Sequence, residues 1–261
     1  YYRSLYNVEQ VEILRGPNAL LFGRGGTGGI INRVSKKATL GETFGSVDFG
    51  LDSFGANDIA VDYNTGTSGD SAVRIMLHSD SLENHRDHYD GTRLGFNPTI
   101  KIKMNESTTL DLSYEYADHE RYIDRGIPTE NGEPVERFEK ITFGGDDNLT
   151  TLKANILRAT LSKVFSDTRK GNLSIVSSDF EKMYKNYYAS GYTAGATVVT
   201  MDGYLDPTER ENTIISGNIV NEVGNHTLLV GVELIDTTNE NFRYNTFWST
   251  TSDDNEVFNI T

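Results

Sequence analysis

The sequence predicts an all-β chain of the transmembrane antiparallel barrel type, and three observations carry that expectation. Apolar and polar residues alternate with period two in most segments from Thr43 to Asp236. No run of eighteen apolar residues is present, so crossing a membrane falls to strands, in which only alternate residues need to be apolar. The connections between strands alternate between brief and long. Bulk numbers are permissive: 261 residues at 36% hydrophobic would also build one or two soluble domains. Without cysteine there is no disulfide, thiolate metal site or thiol catalysis. Twenty-four basic against 38 acidic residues, a net charge of −14, argue against nucleic acid as a partner and agree with a solvated surface. Tyr1-Tyr2-Arg3-Ser4 lacks the charged-then-apolar pattern of a signal peptide.

The first element is Tyr1 to Asn7, short and aromatic, expected to pack against neighbouring strands. Val8, Val11 and Ile13 then make a β-prone run, which Arg15-Gly16-Pro17 stops, because proline fixes φ and removes a donor. Ala19 to Phe22 is an apolar segment that seeks burial. Glycines crowd from Gly23 to Gly29, and Ile30 to Val34 returns to strand character before Lys36-Lys37. Gly23 to Gly28 fits the dinucleotide pattern G-x-G-x-x-G, with Asp48 about twenty residues on. That pattern must open a helix, whereas Ile30 to Ser35 is β-branched, so the fingerprint is rejected. A Walker loop fails too, since no Gly-Lys-Ser/Thr closes the run.

In register, VEQVEILRGPNALLFGRGGTGGIINRVSKK resembles the last third of the plug domain of TonB-dependent outer-membrane receptors, especially siderophore receptors, departing at Gln10 and Phe22. The resemblance implies a plug ending near residue 40 and, from 41 to 261, the first part of a barrel that closes at about 22 strands. It implies a chain that begins in mid-plug, a monomer in the bacterial outer membrane, and TonB-dependent uptake of a ferric siderophore as transported ligand, with no covalent cofactor and no catalytic group. TonB, the ferric siderophore and outer-membrane lipid are the implied partners. Arg15, with Glu12 three residues earlier, resembles the plug arginine that pairs with barrel carboxylates and locks the plug; Gly16, Pro17, Gly23, Gly25, Gly28 and Gly29 would form the plug turns.

After the link Ala38 to Gly41 the strands follow in order. Val47, Phe49 and Leu51 oppose Ser46, Asp48 and Asp52; Ile59, Val61 and Tyr63 oppose Asp58, Asp62 and Asn64; Val73, Ile75 and Leu77 oppose Arg74, His78 and Asp80. Leu94, Phe96, Ile100 and Ile102 alternate with Arg93, Asn97, Thr99 and Lys101, and Pro98 predicts a bulge or bend. Leu110, Leu112, Tyr114 and Tyr116 climb back and end in two aromatics, where a barrel places its interfacial girdle. Asp118 to Asn148 shows no periodicity and reads as a long outward loop. Thr151 to Phe165 and Leu173 to Tyr188 are long strand candidates. Ala189 to Asn212, rich in Gly, Thr and Asp, reads as a second long loop; Thr213 to Val220 and Thr227 to Asp236 complete about nine strands. Brief turns at Gly66 to Asp70, Asn105 to Ser107, Ser166 to Gly171 and Asn221 to Asn225 share one rim. Ser53 to Ala56, Ser81 to Gly91 and the two long loops share the other, the layout of outer-membrane barrels.

His85 and His88 look at first like a metal pair, but no regular element fixes their spacing, and His119 beside Asp118 and Glu120 is no stronger; no metal site is expected. Asp124 to Thr129 and Phe143 to Asn148 resemble the DRGIP and FGDPDDN segments of siderophore receptors, as Gly231-Val232-Glu233 resembles their GVE strand; the first two also read as structural turns. Tyr122 and Arg125 are the candidate ligand contacts, since an aromatic and a cation suit an anionic, aromatic-bearing chelate. Receptors for haem, cobalamin or a glycan are the alternatives within this fold. A passive porin or adhesive barrel has no use for the plug segment, and a soluble β-sandwich enzyme would need a polar cluster that the sequence does not show.

Overall fold

A computed structural model describes residues 4–16, 28–66, 69–246 and 255–260. Strands β1 (Val8–Arg15) and β2 (Gly29–Ser35) form a separate antiparallel hairpin at the N-terminus. Next come β3 (Thr43–Leu51), β4 (Asn57–Gly66), β5 (Ser71–Glu83), β6 (Asp90–Asn105) and β7 (Thr108–Tyr122). A long connection holds the small hairpin β8 (Thr129–Glu130) and β9 (Glu133–Pro134) and a 3-10 turn at Glu136–Phe138. Then follow β10 (Leu149–Ser166), β11 (Arg169–Tyr192), β12 (Val198–Val223), β13 (His226–Asn241), β14 (Tyr244–Asn245) and β15 (Asn255–Asn259). β3 to β7 and β10 to β13 pair in chain order, and β14 and β15 add to β12 to complete an 11-stranded sheet.

The sheet is inside-out relative to a soluble protein. On β5 the buried residues are Ala72, Arg74, Met76, His78 and Asp80, while Val73, Ile75 and Leu77 are exposed. The inner face, which carries the hairpin, also holds Asp62, Asn64, Asn97, Thr99, Glu115 and His119, all buried. Leu157, Leu173, Ile175, Ile215, Ile219, Val230, Val232 and Leu234 lie exposed on the outer face. A sheet that buries charge and exposes leucine fits a surrounding of lipid, with alternate residues turned to each side. No described helix is long and apolar enough to cross a membrane.

Four expectations are corrected. Pro98 makes no bulge: Phe96 with Tyr116 and Thr99 with Ser113 share one register, because the Asn97 side-chain amide donates to the Tyr114 carbonyl that proline cannot serve. Ala189 to Asn212 is mostly strand, with only residues 193–197 between β11 and β12. Above the bilayer both faces are polar, so the alternation that marks a strand disappears while the ladder continues. For the same reason β7 runs on to Tyr122, and the β5–β6 connection shrinks to residues 84–89. Among the described residues one long loop therefore remains, residues 123–148, opposite a rim whose connections include Glu106-Ser107, Asp167-Thr168 and Gly224-Asn225.

That loop has its own core. Val135, Phe138 and Phe143 pack with Val199 and Met201 of β12, and Phe138 meets Phe143 and Tyr192 edge-on. Asn148, fully buried, donates to the Ile123 and Tyr187 carbonyls and accepts from the Tyr187 N–H, stitching the end of the loop to β11. Asp124 accepts the Arg86 guanidinium and the Gly126 N–H. The segments Asp124 to Thr129 and Phe143 to Asn148 thus contain structural turns.

Candidate functional site

The hairpin sits on the inner face through two groups of contacts. At its trailing end, Lys36 Nζ donates to Asp62 Oδ2 at 2.9 Å, and Arg74 grips both oxygens of Asp62 at 2.7 Å. Arg74 also reaches the Lys37 carbonyl at 3.0 Å, with Glu9 4.0 Å away. Asn64, fully buried on the same row of the sheet as Arg74, holds the Thr39 N–H and the Thr39 and Glu42 carbonyls. At the leading end Asn7 donates to Asn97 at 3.1 Å, and Ser4 Oγ lies 3.3 Å from His78 Nε2. The ring of Tyr6 stacks on His78 at 5.3 Å and covers Gly95, where any side chain would strike it. Gly95 leads a row of small residues, Gly95, Ala117 and Ala154, that leaves room for the ring.

Glu12 hydrogen-bonds Gln10 and Asn32 within the hairpin. Arg15 lies opposite Gly29, at the other end of the hairpin from Asn7 and Lys36. Gly16 follows β1 with positive φ, Gly29 opens β2 also with positive φ, and Gly28 precedes it; Pro17, Gly23 and Gly25 lie outside the described residues. The ionic tie to the sheet through Lys36, Asp62 and Arg74 was missed because strand alternation names the polar face without saying what covers it.

Further up, the inner face turns basic and aromatic. Arg125 donates to the Tyr204 hydroxyl at 3.0 Å and to Asn186 at 3.1 Å, and lies over the ring of Tyr188 at 4.6 Å. Burial is the largest influence and opposes its charge, but Tyr204 and Tyr184 together outweigh it and hold the guanidinium's pKa above its ordinary value. Arg243 covers the other neighbouring ring, Tyr204, at 4.2 Å, and its pair with Asp206 holds that carboxyl below the usual range. Tyr184 stacks on Tyr204 and, with Arg93, His119, Arg121 and Lys182, lines an adjoining recess of about 680 Å³. Tyr122 lies on the outer face, 5% exposed, beneath Gly144 of the long loop. Tyr184, Tyr188 and Tyr204 are the aromatics around Arg125; Tyr204 escaped notice because it lies in the stretch read as a loop, and Tyr184 and Tyr188 because a strand candidate does not say which residues face the loop.

The upper strands carry cations on the inner face beside Glu115, Asp202 and Asp206, and more carboxylates than the lysines Lys153 and Lys185 on the outer face. Arg93, Arg121, Lys182 and Arg210 point inward, while Asp118, Glu120, Asp179, Glu181, Glu209 and Glu211 point outward on the same strands. A second cavity, about 540 Å³ beneath the long loop, has no charged residue in its lining and cannot neutralise an ion. His85 packs edge-on against Phe54, and the described residues contain no group of three metal-ligating side chains.

No family model matches the sequence. The metal-pseudopaline receptor CntO of Pseudomonas aeruginosa is 30% identical over 204 residues, 76% of this chain and 27% of that protein. The Acinetobacter baumannii protein named "Probable TonB-dependent siderophore receptor PiuA" is 30% identical over 155 residues, 56% of this chain and 21% of its own length. This chain belongs to the TonB-dependent receptors. The crystal structure of the siderophore receptor PiuA superposes over 100% of this chain and 41% of its own, with a TM-score of 0.83 at 19% identity, which establishes the barrel fold. The TonB-dependent receptor chain described here thus spans about a quarter of the length of the curated relatives it matches. Its place is the bacterial outer membrane, in keeping with an apolar outer face made of strands.

Proposed function

We propose that the receptor to which this chain contributes carries ferric siderophores across the outer membrane, with energy delivered by TonB. In this reading residues 1–40 are the end of the plug and residues 41–261 the first part of the barrel. The observation that carries it is the inner-face cluster of Arg125 and Arg243 over Tyr188 and Tyr204, beside a cation-lined recess. A planar cation stacked on aromatic rings in a water-filled lumen offers an anionic, aromatic chelate both charge and a face. The seated hairpin supplies the gate that a passive pore lacks, and nothing in this transport asks for a catalytic group. Arg15, exposed at the far end of the hairpin, is the residue we assign as the lock, its planar fork suited to carboxylates elsewhere on the barrel.

The full-length receptor, expressed in an iron-starved host without its own receptors, is tested for uptake of radioactive iron on catecholate and hydroxamate chelates, with and without TonB. Uptake that requires TonB is expected. Entry of haem or cobalamin, with no chelate taken up, would keep the fold and replace the cargo.

A further inference from the structure

The recess and the leading end of the hairpin are joined by a continuous line of side chains. Arg93, which lines the recess, donates through Nε to both oxygens of Asp80, at 3.0 and 2.8 Å, and through Nη2 to Oδ2. Asp80 Oδ2 lies 3.7 Å from His78 Nε2, and both side chains are over nine-tenths buried. That same Nε2 faces Ser4 Oγ at 3.3 Å, with Tyr6 stacked on the ring. His78 Nδ1 is buried and has no hydrogen-bond partner among the described residues. A buried N–H without an acceptor is costly, so the neutral ring carries its proton on Nε2. One proton therefore has two prospective acceptors, the Ser4 hydroxyl and the Asp80 carboxylate. Arg93 decides between them by occupying Asp80.

We propose that Arg93 is a positioning residue that couples cargo in the recess to release of the hairpin. An anionic group of the chelate that draws Arg93 away leaves Asp80 a buried charge without its cation. The carboxylate then takes the Nε2–H of His78, because an ionised acceptor outcompetes a hydroxyl. Ser4 loses its bond, the ring turns out of register with Tyr6, and the leading end loosens. The trailing end stays, since Lys36, Asp62, Arg74 and Asn64 share no group with this line. The coupling rests on the siderophore reading for its cargo, and it requires that cargo to be anionic at the end that enters the recess.

The test uses the full-length receptor in detergent, with a trianionic ferric tris-catecholate as probe and a neutral ferric trihydroxamate as control. Amide hydrogen exchange is followed across Ser4 to Asn7. In the unaltered receptor the catecholate should raise exchange there on the order of tenfold, within the usual range of coupling between sites, and the hydroxamate should not. Arg93→Gln should show raised exchange with no chelate present. Asp80→Asn should bind the catecholate, stay protected at rest and show no response to it. His78→Phe keeps the stacked ring but cannot bond Ser4, so it should start loosened and respond no further. A merely structural role would instead loosen Asp80→Asn at rest as well. Protection in Arg93→Gln equal to the unaltered receptor, or a full response in His78→Phe, overturns the proposal. If the receptor binds neither chelate, the siderophore reading fails, and the resting exchange of Arg93→Gln still decides the relay.

Discussion

Asp62 shows how much can depend on one carboxylate in a buried polar interface. It answers Lys36 from the hairpin and Arg74 from the next strand, and Arg74 is 9% exposed in its side chain. Asp62→Ala leaves that guanidinium without its anion, and breaking a buried pair from one side costs about 3–5 kcal/mol. Trypsin should then cut faster after Lys36 and Lys37 in the full-length receptor. Digestion as slow as before would show that Asn64 alone holds this segment. Gly95 makes a steric counterpart, because a Cβ there would lie 2.6 Å from the Tyr6 ring. Gly95→Val should unseat Tyr6 and raise exchange at the leading end while protection around Lys36 persists; loosening of both ends together would contradict two separate contact groups.

At the scale of the element, much of the fold was legible, because a strand in lipid must declare its faces. Val73, Ile75 and Leu77 against Arg74, His78 and Asp80 gave β5 both its period and its two environments. Ile75→Arg should therefore cost about 2–4 kcal/mol of folding stability in vesicles if it lies near the midplane, less toward an interface. A change below 1 kcal/mol would place that residue outside the hydrocarbon. Pro98 was read for the bond it removes, while the neighbour that repairs the loss went unseen. Asn97→Leu should leave the Tyr114 carbonyl unserved and Asn7 without its acceptor, at about 1–3 kcal/mol for each unmet buried group. Equal stability of that variant would mean that water replaces the amide. The site was less legible than the strands: Arg125 stood out by resemblance, but its tyrosines come from β11 and β12, about 60 to 80 residues away, and only the register brings them together.

The whole molecule is taller than the membrane it crosses. β11 has 24 residues, which at about 3.3 Å each spans about 80 Å, whereas a tilted strand needs only about 9–11 residues to cross the hydrocarbon. Counting up from the Asp167-Thr168 turn, that span ends near Asp179, and the outward carboxylates Asp179, Glu181, Glu209 and Glu211 begin at this height. Below them the outward residues are Leu173, Ile175, Ile215 and Ile219. The upper half of β11 and β12 must then be a wall standing in water, kept in strand form by its ladder and by the long loop packed on Val199 and Met201. Since the chain has no cysteine, single nitroxide labels can map this boundary in vesicles. Labels at Leu173→Cys and Ile175→Cys should be relaxed by oxygen, which concentrates in lipid, and labels at Glu181→Cys and Lys185→Cys by a water-soluble nickel chelate. Lipid-type relaxation at Lys185→Cys would place the outward carboxylates inside the bilayer, where Lys153, opposite Asp118 and Glu181, could not pair with all of them. Water-type relaxation there would instead make the tall wall the rim of an extracellular funnel, and the basic, tyrosine-rich inner face of that rim would be the first surface an incoming chelate meets.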